Sequence, residues 1–345
     1  MVKDAVPLGE CGRALVIKLR HHGDVLLAAP VLRALKSHAP KLEIDALVYD
    51  DTAPMLDGHP ALSQLHTVGR KWKQEGGRFS KELALYRTLK ARKYDLLIHL
   101  SEQPRGAWLS RFLGTRWSVA PKVPDRGGFW SKSFTHLYPV IARRHQVEVN
   151  LDALRRIGIQ PAERKVDFVP GAAAETRIRE LVPGTFIHIH PASRWKFKCW
   201  PAEKNAELIT RLSAEGHQVV VTAAPDAEEM RFVSRILEKA KAINLAGKLT
   251  IKELGALATR ARLFIGVDSM PMHIAAAMGT RTVALFGPSG ELEWGPWNVE
   301  HRVVRTSHSC RPCGQDGCGG GKVSECLTLL SVDAVHAAAR EFLSK

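Results

Sequence analysis

Four stretches of the chain gather side chains able to do chemistry. The first is Lys18-Leu19-Arg20-His21-His22-Gly23-Asp24, between an apolar run and an amphipathic one. Gly23 suits a tight turn, and Asp24 then falls near a helix start. Such a carboxylate either caps the helix, worth about 1 kcal/mol, or serves as a base. The basic company of Lys18, Arg20, His21 and His22 favours an ionised Asp24, and an ionised carboxylate at a strand end can take the proton of a sugar hydroxyl.

The second stretch runs Ile265-Gly266-Val267-Asp268-Ser269-Met270-Pro271-Met272-His273. A buried strand ends at Asp268, Ser269 opens a turn, and Pro271 fits the first turn of a helix. Backbone N–H groups at such a helix start suit a phosphate or diphosphate, and His273 lies one turn further in. The bland alternative is a capped, alanine-rich core helix with His273 buried and satisfied. The third stretch is His190-Pro191-Ala192-Ser193-Arg194-Trp195-Lys196-Phe197-Lys198-Cys199-Trp200-Pro201. Arg194, Lys196 and Lys198 beside Trp195 and Trp200 form a clamp suited to a sugar diphosphate. A cation there would offset the charge building on a departing diphosphate.

The fourth holds Cys310, Cys313, Cys318 and Cys326, four of the six cysteines. Their spacing is compatible with a structural zinc site, though the second pair is looser than in most four-cysteine sites. Free structural thiols are the alternative. No GxGxxG follows the first apolar run and no GxxxxGK[ST] occurs anywhere, which weakens oxidoreductase and NTPase readings.

These stretches sit at the joints of an alternating pattern. Ala14–Leu19, Ile44–Tyr49, Gln64–Val68 and Tyr94–Leu100 read as strands, with helices over Asp24–Ser37 and Phe79–Arg92. Between Gly158 and Gly184, Pro161, Pro170 and Pro183 interrupt the pattern, which marks an interdomain connection. A second series follows, with strands at Thr185–His190, Gln218–Ala223, Ile243–Leu245, Leu263–Val267 and Thr282–Phe286. Helices are expected at Ala202–Ala214, Ala227–Ala240, Ile251–Thr259, Pro271–Met278 and Val332–Leu343. The division is 1–165, 166–330 and a C-terminal helical segment, 331–345. Two doubly wound α/β domains, Rossmann-like and facing a central cleft, accommodate a two-substrate transferase.

The chain has 345 residues and a net charge of +15. Residues 1–165 hold 28 basic and 16 acidic side chains, and 166–345 hold 22 and 19. The first half should therefore meet something negatively charged. Met1–Cys11 has acidic residues, Pro7 and Gly9 where a signal peptide would be apolar, and no run reaches the roughly 20 apolar residues of a membrane span. A cytoplasmic protein is expected. Phe129, Trp130, Phe134 and Tyr138 lie in a basic stretch suited to lipid or sugar, or pack beneath a loop.

The run from Gly23-Asp24-Val25-Leu26-Leu27 through Pro30 to Leu35 resembles the opening motif of the lipopolysaccharide heptosyltransferases, glycosyltransferase family 9. Lys198-x-Trp200-Pro201 and Asp268-Ser269-x-x-x-His273-Ile274-Ala275-Ala276 resemble that family's second and third motifs. Ser193-Arg194-Trp195 and Asp268-Ser269-x-Pro271 are most similar to the heptosyltransferase III branch. The resemblance implies a GT-B fold, an acceptor-binding N-terminal domain and a C-terminal domain that holds ADP-heptose. It implies inverting transfer to a lipopolysaccharide inner-core hydroxyl, with no cofactor required.

Asp24 is then the base and Lys198 neutralises the diphosphate. Ser193, Lys196, Asp268, Ser269 and His273 complete the donor site, and Asp226 and Glu228 are placed to reach a ribose. Lys18, Arg20, His21 and Gly23 meet the acceptor. Met270 stands where many relatives have glycine, and Thr222-Ala223-Ala224-Pro225-Asp226 lacks glycines common there. The basic first half suits a phosphorylated, membrane-anchored glycolipid and the anionic cytoplasmic face of the inner membrane, where the protein would sit peripherally. Other nucleotide-sugar glycosyltransferases or a sugar-nucleotide epimerase share the plan. A nucleic-acid-binding protein lacks support, with no zinc-finger, RNP-like or helix-turn-helix pattern.

Overall fold

The computed structural model describes residues 4–344; Met1–Lys3 and Lys345, the ends of the leader stretch and of segment 331–345 considered above, lie outside the described residues. The chain forms two units, Met1–Asp167 and Phe168–Lys345. In the first, strands β1 (Arg13–Ile17), β2 (Glu43–Tyr49), β3 (Gln64–Val68), β4 (Leu96–His99), β5 (Trp117–Pro121) and β6 (His136–Tyr138) pair in parallel in the order β3-β2-β1-β4-β5-β6. In the second, β7 (Phe186–His190), β8 (Gln218–Val221), β9 (Ile243–Asn244), β10 (Leu263–Val267), β11 (Thr282–Leu285) and β12 (His301–Val304) pair in parallel as β12-β11-β10-β7-β8-β9.

Each sheet is wound the same way, outward from its first strand and then outward again on the other side. The winding reverses between β1 and β4 in one unit and between β7 and β10 in the other. At such a reversal the flanking helices diverge, which leaves a crevice at the carboxyl ends of the strands. Helices cover both faces of a parallel sheet, so its strands are apolar throughout. All of β10 is buried, and so is all of β1 beyond Arg13.

Register needs small residues at two places. A Cβ on Gly266 of β10 would stand 2.9 Å from the carbonyl oxygen of its β7 partner, His190. A Cβ on Gly106 would overlap the ring of His99, at 2.3 Å. The helix Pro104–Leu113 thus packs directly on the end of β4.

Three sequence expectations are corrected. The helix expected over Asp24–Ser37 is two helices, His22–Leu26 and Ala29–His38, because Pro30 cannot donate to a carbonyl one turn back. The interrupted stretch 158–184 contains the helix Ala172–Leu181, already part of the second unit, which buries only Ala174 and Ile178 and so leaves little apolar signal. β5, β6 and β12 are also present. β5 mixes Trp117, Ser118 and Pro121, β6 has three residues, and β12 is a half-exposed edge. The C-terminal helix Val332–Leu343 packs Val335, Ala339 and Phe342 into the core of the second unit with Trp200 and Ile209.

The second core also holds two buried histidines. Burial pushes the His190 imidazole down to about 3 and His188 well below its ordinary value. Both stay neutral in the fold, whereas in the unfolded chain each binds a proton below pH about 6.5. Unfolding therefore takes up protons at acid pH, and the stability of the second unit should fall as pH drops from about 6.5 towards 4. The slope is about 1.4 kcal/mol per pH unit for each histidine. Urea midpoints at pH 7, 6 and 5 check this, and a midpoint that holds or rises on acidification refutes it.

Candidate functional site

The carboxyl end of β1 leads into the short helix His22–Leu26, whose N-cap is His21. Asp24 sits in its first turn with its side chain 13% exposed, and Arg20 Nε lies 3.8 Å from Asp24 Oδ1. Gly23 lies inside this helix instead of forming a tight turn. Asp24 therefore sits between the helix start and one guanidinium. His22 Nε2 lies 2.9 Å from the Asp51 carbonyl oxygen.

Beneath this loop Lys18 is buried, and its ammonium donates to the Leu100 carbonyl at 2.8 Å and to Asn150 Oδ1 at 2.9 Å. Asn150 in turn donates from Nδ2 to the Leu27 carbonyl at 3.0 Å. The two side chains tie the ends of β1 and β4 to the turn that follows Asp24. Burial draws the Lys18 ammonium down to about 8, against the opposing pull of Asp24.

In the second unit, two of the sequence stretches meet at the reversal between β7 and β10. Lys198 ends a short 3-10 turn after β7, and its Nζ lies 2.5 Å from Oδ2 of Asp268, the residue that follows β10. Asp268 is buried, and Lys198 keeps about a fifth of its side chain exposed. Ser269 is the N-cap of the helix Met270–Ala277, and its hydroxyl donates back to the Val267 carbonyl at 3.3 Å. An ammonium and a helix N-terminus at one strand edge make an electropositive seat for an anion. His273 is buried in that helix with its ring centroid 6.4 Å from that of Trp294.

The rest of the expected clamp divides between core and surface. Trp200 is fully buried and donates from Nε1 to the Leu330 carbonyl at 3.1 Å, so it anchors the loop and cannot touch a ligand. Trp195 is the exposed tryptophan, 45% accessible, with the Arg194 guanidinium 5.6 Å from its ring centroid. Ser193 is buried, its hydroxyl accepting from the Trp195 backbone at 3.2 Å. Lys196 pairs with Glu228 at 2.8 Å. Asp226 caps the helix Ala227–Leu237 by accepting from the backbone of Glu228 and Glu229.

Sequence reasoning overlooked Asn150 and a polar knot at the end of β7. Thr222 Oγ1 lies 2.7 Å from His188 Nε2 and 2.8 Å from His190 Nδ1. The available signal was the order Phe186-Ile187-His188-Ile189-His190, in which polar residues alternate through a strand that is buried on both faces. Among the aromatics of the basic stretch, Trp130, Phe134 and Tyr138 are buried and Phe129 is exposed.

The cysteines are free thiols, with Cys310 and Cys318 exposed and Cys326 buried. Among the described residues, no three His, Cys, Asp or Glu side chains are placed to hold a metal ion. Cys310, Cys313 and Cys318 all lie within electrostatic reach of Cys326.

Comparison with known proteins adds to this geometry. Residues 82–323 match the pattern of glycosyltransferase family 9 (heptosyltransferase). The chain is 37% identical over 289 residues to a lipopolysaccharide heptosyltransferase 3 of Escherichia coli, covering 81% of this chain and 85% of that one. The solved glycosyl transferase family 9 structure from Veillonella parvula superposes with a TM-score of 0.83 at 22% identity, over 96% of this chain and 97% of that one. The E. coli ADP-heptose lps heptosyltransferase II gives 0.79 at 20% identity, over 96% and 98%. The structural likenesses establish the fold, a GT-B pair of Rossmann-like units, and the sequence matches establish the relationship. The chain belongs to glycosyltransferase family 9, the heptosyltransferases, on the side of its heptosyltransferase 3 members.

Proposed function

We propose that this glycosyltransferase moves heptose from ADP-heptose to a hydroxyl of the lipopolysaccharide inner core, with inversion at the anomeric carbon. The observation that carries the reading is the Lys198–Asp268 pair, which brings two chain segments together beside a helix N-terminus at the β7–β10 reversal. The E. coli relatives named for heptose transfer support the choice of sugar, and one of them carries ADP-heptose in its name.

In this reading unit 2 holds the donor and unit 1 the acceptor. The acceptor oxygen attacks the anomeric carbon while its proton passes to the Asp24 carboxylate. The bond from that carbon to the β-phosphate oxygen breaks, and ADP leaves with both electrons. Lys198 and the backbone after Asp268 stabilise the charge that grows on the diphosphate, at the point where fixed positive charge lowers the barrier most. Asp268 keeps the ammonium in place. Ser193, Lys196, Ser269 and His273 shape the donor site, with Asp226 and Glu228 at its ribose end. Arg20, His21 and Gly23 line the acceptor side, and Lys18 holds their loop from below. The acceptor is a membrane-anchored glycolipid, so the protein works peripherally at an anionic bilayer. No helix among the described residues is long and apolar enough to cross a membrane.

Asp24→Asn is expected to lower kcat by about 10²–10⁴-fold with ADP affinity preserved. Steady-state kinetics with ADP-heptose and a core acceptor measure this, and near-normal turnover would remove Asp24 as the base. Calorimetric titration should show ADP bound more tightly than UDP. Lys198→Ala should weaken ADP at least tenfold, about 1.4 kcal/mol. Equal or tighter UDP binding would overturn the choice of donor, and an unchanged ADP affinity would overturn the role of Lys198.

A further inference from the structure

We propose that the outer half of the first unit's sheet, from the helix after β4 to the loop after β6, seats on an anionic lipid bilayer. This rests on the reading of the acceptor as a membrane-anchored glycolipid and names the surface that meets the membrane. The helix Pro104–Leu113 exposes Trp108 and Phe112, which are 50% and 55% accessible. Phe129, after β5, is 41% accessible, and its ring lies 4.5 Å from that of Trp108. Phe112 stacks on Trp108 as well, at 5.5 Å. Three large rings thus form one exposed cluster, where a lone exposed aromatic would need no explanation.

The charge around the cluster is mainly positive, although Arg105 pairs with Glu82 and Arg116 with Glu10. Residues 104–132 contain six basic side chains and one acidic, Asp125. The Arg111 guanidinium stands 4.9 Å from the centroid of Phe129. Arg126 and Lys132 are exposed and form no ion pair among the described residues. The next loop along the same sheet, after β6, adds exposed Val140 and Ile141 followed by exposed Arg143. Aromatic rings that settle at the headgroup level, ringed by cations, match an anionic bilayer in both polarity and charge.

The position within the fold agrees. β1, β4, β5 and β6 are parallel, so their carboxyl ends share one edge. The helix Pro104–Leu113 begins at that edge and runs back along the sheet, while the segments that carry Phe129 and Ile141 follow the edge directly, as the Asp24 loop does. A glycolipid anchored in the bilayer would then present its sugars along the edge that carries Asp24.

The test is sedimentation of the full chain with vesicles of phosphatidylethanolamine and phosphatidylglycerol, against vesicles of phosphatidylcholine alone. The wild-type protein should sediment with the anionic vesicles, at least tenfold more than with neutral ones, and release with rising salt. Trp108→Ser with Phe129→Ser, and separately Arg126→Glu with Lys132→Glu, should each cut that binding at least tenfold with the melting temperature kept. Turnover separates this surface from the enzyme reading: the aromatic variant should retain its rate on a delipidated core oligosaccharide and lose it on acceptor embedded in vesicles. Equal binding to both vesicle types, or unaltered binding by both variants, overturns the proposal even if heptose transfer is confirmed. A wild-type protein that ignores vesicles but elutes as a dimer, which Trp108→Ser with Phe129→Ser converts to monomer, assigns the cluster to self-association and also overturns it.

Discussion

Gly266 of β10 leaves room for the carbonyl of His190 on β7, and the pairing of these two strands organises the second unit. With the two strands in register, the residues that follow them emerge side by side. Asp268 then finds Lys198 at 2.5 Å, and the helix that begins beyond Ser269 turns its positive end to the same edge. A buried carboxylate needs such a partner, since removing one charge of a buried pair leaves the other uncompensated. Trp200 supplies the mechanical side. By filling the core and bonding Leu330, it fixes the loop on which Lys198 stands. Below, Thr222 joins His188 Nε2 and His190 Nδ1 in a polar knot that adds no charge.

The first unit solves the corresponding problem with a buried cation. Lys18 sits under the reversal between β1 and β4, and its donors go to Leu100 and Asn150. Because Asn150 also holds the Leu27 carbonyl, the turn after Asp24 is tied to a helix more than a hundred residues away in sequence. The carboxylate itself stays near the surface with Arg20 beside it. The role of base proposed for Asp24 needs both features, a fixed backbone and access to a substrate hydroxyl. The two units thus share one sheet order and differ in what the reversal carries: a partly exposed carboxylate over a buried ammonium in one, and a partly exposed ammonium over a buried carboxylate in the other.

The alternation of strands and helices was legible because buried parallel strands are apolar throughout and their covering helices are amphipathic. Gln64–Val68, Ala202–Ala214, Leu263–Val267 and Val332–Leu343 could be read with their true bounds. Elements with mixed polarity or very short length, such as β5 and β6, could not be read. The same limit misplaced single side chains. Trp195 and Trp200 look alike in sequence, yet one reaches solvent and the other fills the core. Trp130 and Phe134 are adjacent in kind to Phe129 and end up beneath it in the core around His99.

By itself the sequence determined the two α/β series, the basic first half and the motifs around Asp24, Lys198 and Asp268, because these are properties of local pattern and composition. The tertiary structure alone decided which of those residues meet. Lys198 and Asp268 are 70 positions apart, and only the order of β7 and β10 in the sheet makes them neighbours. It also decided that Lys18 is a buried post and that Asp226 is a helix cap. Such outcomes depend on burial and on contacts between distant segments, and spacing along a chain bounds those distances without setting them.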